Sequence, residues 1–268
     1  MPLICVCSPN GGTGKTTLAA NLVWSFARSG IKALALDFNV QNSLRLHFGS
    51  PPEDVTGYVS RAPELADWSQ SVLTPGGNVF FLPYGQVTET QRMLFDEGLS
   101  NDPMFISRGL NTLLNYPGLI IVADFPAGPG PALKAASSLA DLFLVVLQPD
   151  PVSLSCQPVV EEGKLTGNAA ISNSRYRYVI NQVDARNRLA SDVQTFFEQK
   201  LGPSVIGAVH NDESVREASA QQKSIFDFNA VSAASFDIEL ISKRLSALLD
   251  LNVGDGMVTV PPDFRVNP

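Results

Sequence analysis

Residues 8–17 read Ser-Pro-Asn-Gly-Gly-Thr-Gly-Lys-Thr-Thr, set between an apolar run, Leu3–Cys7, and a helical pattern, Thr16–Arg28. Glycines at positions 11, 12 and 14 let consecutive backbone N–H groups turn to one side with no Cβ in the way. The helix that follows adds the positive end of its dipole. Strand, glycine-rich loop, Gly-Lys-Thr-Thr and helix together predict a phosphate-binding loop. Lys15 is placed to reach the β- and γ-phosphates as a point charge, and the Thr16 hydroxyl to coordinate Mg²⁺. Gly11, Gly12, Thr13, Gly14 and Thr17 complete the expected cradle. The strict pattern has glycine where this chain has Pro9.

Such a loop needs a strand before it and a helix after it, and the rest of the chain repeats that alternation. Short apolar runs predict strands at Leu3–Cys7, Lys32–Leu36, Asn78–Leu82, Leu119–Asp124, Leu142–Leu147, Tyr178–Asn181 and Ser204–Val209. Several are apolar throughout, as expected of strands covered on both faces of a parallel sheet. Helical patterns fall at Thr16–Arg28, Glu64–Val72, Thr88–Glu97, Phe105–Asn115, Pro131–Ser138, Leu189–Lys200, Ser214–Gln221 and Ala233–Leu249. The fold class is therefore α/β, a doubly wound, mostly parallel sheet flanked by helices. One nucleotide-binding domain is expected over residues 1–251. The last stretch, Asn252–Pro268, has Gly254, Gly256, Pro261, Pro262 and Pro268 without a helical period and is expected to be a flexible tail.

Composition narrows the function. Of 268 residues 44% are hydrophobic, ample for a core, yet no apolar run approaches the roughly 20 residues a bilayer span needs. With no basic start resembling a secretory signal, a soluble cytoplasmic protein is expected. A net charge of -7 argues against nucleic acid as the main partner. Cys5 and Cys7 alternate in an apolar strand, Cys156 stands alone, and His47 and His210 are far apart, so the cysteines read as structural.

The segment Pro9–Thr17 resembles the deviant phosphate loop of the MinD/ParA family of dimeric ATPases, within the SIMIBI class of P-loop NTPases. At the position of Asn10 that family carries a signature lysine, which reaches the nucleotide of a partner subunit. Leu36-Asp-Phe-Asn-Val-Gln-Asn42 resembles the family's first switch, usually Asp-x-Asp-Pro-Gln. Asp37 matches its first aspartate, and Asn39 stands where the second, water-positioning aspartate belongs. Ile120–Gly128 resembles the second switch, with Asp124 as a Mg²⁺ ligand through water. Tyr178–Asp184 resembles the base-reading segment, in which Asn181 would pair with adenine. His210–Ala218 matches the segment that closes over the base. The resemblance covers residues 1–250. It implies ATP and Mg²⁺ as cofactors, an ATP-dependent homodimer, and catalytic positions at Lys15, Asp37 and the degraded Asn39. Each later motif is weak alone; their order and strand-end placement give them weight, because ligands of open α/β sheets sit outside the carboxyl ends of the strands.

Residues also discriminate among subclasses. Ala233–Leu249 carries Phe236, Leu240, Ile241, Leu245 and Leu248 on one stripe but only Lys243 and Arg244 as cations, which favours core packing over membrane insertion. Asp124–Pro131 lacks the cysteines of iron–sulfur members. Asn42–Phe48, Ala66–Ser69, Val79–Gln86 and His210–Glu213 are similar to the branch associated with bacterial cellulose synthase. That branch commonly has degraded catalytic positions. The resemblance implies a regulator or assembly factor of the cellulose secretion machine, bound to protein components at the inner membrane. Hydrolysis needs a positioned water and stabilised charge, so Asn10 and Asn39 predict weak or absent turnover. The alternative is an active partitioning or positioning ATPase acting on DNA or protein cargo, with Arg45 as the substitute cation.

Overall fold

The structure, a computed structural model, describes residues 1–51, 53–64 and 67–251. The phosphate loop lies between β1 (Leu3–Cys7) and α1 (Lys15–Arg28), followed by β2 (Lys32–Asp37), β3 (Leu73–Gly76) and β4 (Val79–Leu82). Next come α2 (Glu89–Asn101), α3 (Phe105–Gly109), α4 (Asn111–Leu114), β5 (Leu119–Asp124), α5 (Pro131–Ala136), β6 (Leu142–Leu147) and α6 (Pro151–Glu161). The chain continues through β7 (Tyr176–Val183), α7 (Arg188–Leu201), β8 (Val205–His210), α8 (Glu213–Ala220), α9 (Ile225–Phe228) and α10 (Ala233–Leu248). These strands form one sheet in the order β3-β4-β2-β5-β1-β6-β7-β8, parallel throughout except where β3 meets β4.

Burial on both faces explains the unbroken apolar runs. Every residue of β1, β5 and β6 is buried. Along β1 the side chains alternate between two cores. Ile4 and Val6 pack with Leu18, Leu22 and Phe26 of α1 and Ile241 and Leu245 of α10. Leu3, Cys5 and Cys7 face the opposite core, whose aromatic part holds Tyr58, Trp68, Phe95 and Phe105. Both strand cysteines are reduced and buried, as their alternation predicts.

Several boundaries differ from the sequence reading. The helix expected at Glu64–Val72 is, among the described residues, only a 3-10 turn at Trp68–Ser71, capped by Asp67. The pattern expected at Phe105–Asn115 divides at Leu110 into α3 and α4. Helix α6 was not anticipated because Pro149, Pro151 and Pro158 crowd that stretch. Pro151 sits in its first turn, where no donor is missed, and Asp150 caps it through Ser153 N. The stripe assigned to the core on α10 is corrected in part. Ala234, Ile238, Ile241 and Leu245 form the buried face, whereas Phe236, Leu240 and Leu248 are exposed. The flexible tail expected at 252–268 lies outside the described residues. Among the described residues no helix is long and apolar enough to cross a membrane.

The chain after β2 returns to the sheet through a close backbone crossing. Tyr58 N donates to Pro83 O and Gln86 N to Val55 O. Gly57 and Gly85 face each other there, and a Cβ on Gly57 would overlap the Gly85 backbone. The crossing also sets the Tyr58 hydroxyl 3.1 Å from the Asp37 carbonyl, to which it donates. Gly57→Ala is expected to destabilise the protein by about 1–3 kcal/mol, the usual cost of overpacking. Urea denaturation measures it, with Gly118→Ala, whose Cβ would meet open space, showing only the smaller strain of its left-handed φ.

Candidate functional site

The phosphate loop leaves the carboxyl end of the central strand β1 and enters α1. Gly12 and Gly14 adopt left-handed φ values of 78° and 80°. A side chain at Gly14 would also overlap the Asn181 amide. Gly11 and Gly12 are exposed, while Lys15 is only 7% exposed beneath the loop. Burial lowers the Lys15 pKa, and the nearby Asp124 carboxylate opposes that shift.

Two carboxylates lie together at the neighbouring strand ends, and one of them, Asp124, acts on this lysine. Asp37 and Asp124 end the adjacent strands β2 and β5 in direct register, and both are fully buried. Thr16 Oγ1 donates to Asp124 Oδ2 at 2.6 Å, and Asn39 N donates to Asp37 Oδ1 at 2.8 Å. The other oxygens, Asp37 Oδ2 and Asp124 Oδ1, are buried without a hydrogen-bond partner. Burial pushes the Asp124 carboxyl up to about 6, opposed by the Thr16 hydroxyl and Lys15. Asp37 is raised well above the carboxylate range by burial and then by Asp124. Unpartnered buried carboxylate oxygens call for a cation. A hydroxyl and buried carboxylates beside a phosphate cradle fit Mg²⁺, which keeps waters and takes phosphate oxygens in place of a complete protein cage. Among the described residues no three His, Cys, Asp or Glu side chains cluster to hold a metal without a nucleotide.

Beside the loop a cavity of about 340 Å³ opens at the ends of β7 and β8. Gly14, Thr17, Asn181 and Val209 line its inner wall, with Asp212, Val215 and Arg216 of the His210–Ala218 segment opposite. Asp212 is occupied as the cap of α8, accepting from Ser214 N. Asn181 is buried, and its Nδ2 donates to Thr13 O at 2.7 Å. The sequence reading passed over Gln182, which also lines the cavity and donates from Nε2 to Gly12 O at 3.1 Å. Its only signal was adjacency to Asn181 at the end of a strand.

The remaining predicted positions are held locally. Asn10 sits at the start of the loop, its N–H donating to Ser8 Oγ at 3.3 Å and its carbonyl accepting from that hydroxyl at 2.9 Å. Asn39 Oδ1 accepts from Gln41 N at 3.1 Å, which closes a tight turn. Arg45 Nη1 donates to Asp54 O at 2.7 Å, and its positive charge opposes the upward shift of Asp37. The two switch-like segments touch directly. Phe38 and Phe125, each following a buried aspartate, stack at 4.7 Å, and Gly128 N donates to Ser8 O.

A glycine-rich loop on the central strand, a buried lysine and two strand-end carboxylates define a P-loop nucleotide-binding protein of MinD/ParA type. Solved structures share that fold. The septum site-determining protein MinD of Pyrococcus horikoshii, complexed with Mg-ADP, superposes with a TM-score of 0.72 at 21% identity, over 92% of this chain and 97% of that one. A ParA-family ATPase of Chlorobium tepidum gives 0.72 at 19% identity, over 90% and 98%. Within that class, residues 1–245 match the family described as cellulose biosynthesis protein BcsQ, and the chain belongs to it. The BcsQ protein of Salmonella typhimurium is 24% identical over 231 residues, 85% of this chain and 87% of that one. An uncharacterised ATP-binding protein of Methanocaldococcus jannaschii is 30% identical over 219 residues, 81% and 77% of the two chains. The tyrosine-protein kinase CpsD of Streptococcus pneumoniae is 33% identical over 129 residues, and the chain spans about half of its length, 54%.

The raised carboxyl of Asp124 carries a stability consequence with a definite sign. Between 3.8 and about 6 the folded chain holds a proton that the unfolded chain has released, so stability falls as pH rises through that window. Asp124→Asn removes the buried charge and keeps an acceptor for Thr16. At pH 7.5 without nucleotide it is expected to stabilise the protein by on the order of 2 kcal/mol, read by chemical denaturation. The same variant is expected to lose the stabilisation that ATP with Mg²⁺ confers on the wild type.

Proposed function

We propose that residues 1–251 form an ATP-binding, nucleotide-dependent dimeric regulator or assembly factor of the bacterial cellulose synthase complex, with weak or absent hydrolysis. The observation that carries the nucleotide reading is the pair of unpartnered carboxylate oxygens, Asp37 Oδ2 and Asp124 Oδ1, buried beside Lys15 and Thr16. Membership of the BcsQ family supports the cellulose role. The working location under this reading is the cytoplasm, with recruitment to the inner membrane by protein partners.

The chemistry follows from this chain's own groups. Backbone N–H groups of Gly11–Thr17 and the start of α1 would hold the phosphates. Lys15 would place its charge against the β- and γ-phosphates. Thr16, with Asp124 acting through water and Asp37 alongside, would hold Mg²⁺, which neutralises phosphate charge when bound. Orienting an attacking water asks for a basic acceptor, and Asn39 offers an amide whose oxygen already accepts from Gln41. Asn10 brings no charge to a partner's nucleotide. Arg45, the substitute cation of the alternative reading, has Nη1 tied to Asp54 O, and its charge acts on Asp37. Binding groups are thus retained where hydrolytic groups are not. The expected product is a persistent ATP state in which both switch segments keep one arrangement for partners to read.

Lys15→Ala is expected to abolish ATP binding, since no other cation lies in Gly11–Thr17. Calorimetric titration with ATP and Mg²⁺ measures this, and unchanged affinity removes the phosphate-loop assignment. Light scattering is expected to find a dimer with ATP and a mass closer to the monomer without it. In single-turnover assays the wild type is expected to return its ATP intact. Joint Asn10→Lys and Asn39→Asp replacement is expected to raise the rate by at least about 10²-fold, the usual weight of one such group. Rapid hydrolysis by the wild type would restore the reading as an active partitioning or positioning ATPase. Loss of cellulose secretion in a strain carrying Lys15→Ala tests the biological role.

A further inference from the structure

We propose that Asn181 and Gln182 are positioning residues that aim two successive peptide groups of the phosphate loop at the phosphates, and that Gln148 holds Gln182 in place. The inference rests on the nucleotide-binding reading above. It goes beyond it by giving Asn181 a role independent of the base.

The geometry starts from an irregularity in β7. The pairing of β7 with β8 shifts register between Ile180 and Val183, and Gln182 adopts a φ of 60°. That region is costly for residues other than glycine and marks backbone held in place for a purpose. In a regular strand, neighbouring side chains point to opposite faces. Here the left-handed residue breaks the alternation, and both amides reach the same loop. Asn181 Nδ2 donates to Thr13 O at 2.7 Å, and Gln182 Nε2 donates to Gly12 O at 3.1 Å.

A trans peptide is planar, so its C=O and N–H point in opposite directions. Fastening the Gly12 carbonyl to β7 therefore turns the Thr13 N–H away from β7. Fastening the Thr13 carbonyl does the same for the Gly14 N–H. Among the described residues neither N–H has a protein acceptor, so both remain available to an anion.

The direction of each amide is itself determined. Gly12 O can only accept, so Gln182 must present Nε2 to it and turn Oε1 outward. Gln148 meets that oxygen by donating from Nε2 at 2.9 Å. Gln148 is fixed in turn, because its N–H donates to Oγ of the buried Ser153 at 3.0 Å, in the first turn of α6. A chain of donors thus runs from the end of β6 to the loop.

The test separates phosphate positioning from base reading with a probe that has no base. Magnesium ATP is titrated directly, and magnesium tripolyphosphate by displacement of a fluorescent ATP analogue, against wild type, Asn181→Ala, Gln182→Gly and Gln148→Leu. Gln182→Gly suits the left-handed φ, so it is expected to fold with a raised melting temperature while binding more weakly. It and Asn181→Ala are expected to weaken both probes by the same factor, about tenfold, the weight of one well-placed hydrogen bond. Gln148→Leu is expected to weaken both less, and to add nothing in combination with Gln182→Gly. Weakened ATP binding with unchanged tripolyphosphate binding overturns the proposal in favour of base reading. Unchanged binding of both probes shows that the loop orients its own peptides, and overturns it equally. Wild-type protein that binds neither probe defeats the nucleotide reading itself, an outcome distinct from the other two.

Discussion

Two carboxylates buried side by side at the carboxyl ends of β2 and β5 are the constraint on which the rest of the site depends. Asp37 and Asp124 are register partners, fully buried, and each has one oxygen without a partner. Such an arrangement costs folding free energy that a core of similar volume would not. It persists because strong burial elsewhere offsets it. The sheet interior places apolar β1, β5 and β6 between two hydrophobic cores, and charge is confined to the strand ends. Lys15 supplies partial compensation to Asp124, and under the proposed reading a divalent cation with phosphates would complete it. The polar groups left unpartnered are those that the ligand would satisfy.

The same pair organises the two switch-like segments. Phe38 and Phe125 follow the two aspartates and stack on each other, while Tyr58 packs edge-on against Phe38 and donates to Asp37 O. Close-packed rings thus join both carboxylates to both switch-like segments. Asn42 reinforces the point. It is buried at a left-handed φ of 48° and accepts from Gly85 N, while its Nδ2 has no partner. The first switch-like segment is held with one buried donor unused.

Retention and loss are distributed by role. Under the proposed reading the groups that would touch phosphate or cation, Lys15, Thr16, Asp37 and Asp124, are all present. Asn10 and Asn39, where the resemblance expects charged residues, carry neutral amides: Asn39 Oδ1 accepts from Gln41 N, and Asn10 Oδ1 lies 3.5 Å from the Ser8 hydroxyl. The Asn39 amide, its oxygen taken by the Gln41 N–H, contributes to the fold but is no base. This division underlies the reading of the protein as a binder first.

The sequence by itself determined the fold class and the centre of the site. A glycine-rich loop has one use between an apolar strand and a helix, and fully apolar runs identify buried parallel strands without further information. Asp37 and Asp124 were legible because each ends such a run. Boundaries governed by competing signals were not. The prolines around α6 obscured a helix that tolerates proline in its first turn, and α10 carries apolar residues on more than one face, so period alone could not tell Ile238 from Phe236. Only the tertiary structure decided which strand ends meet, since register between β2 and β5 depends on how distant segments pack. It alone revealed the unpartnered oxygens and the amides of Asn181 and Gln182 on the loop carbonyls. Those contacts arise from a register shift in β7 and a single left-handed residue, and a local backbone departure of that kind leaves no periodic trace in the sequence.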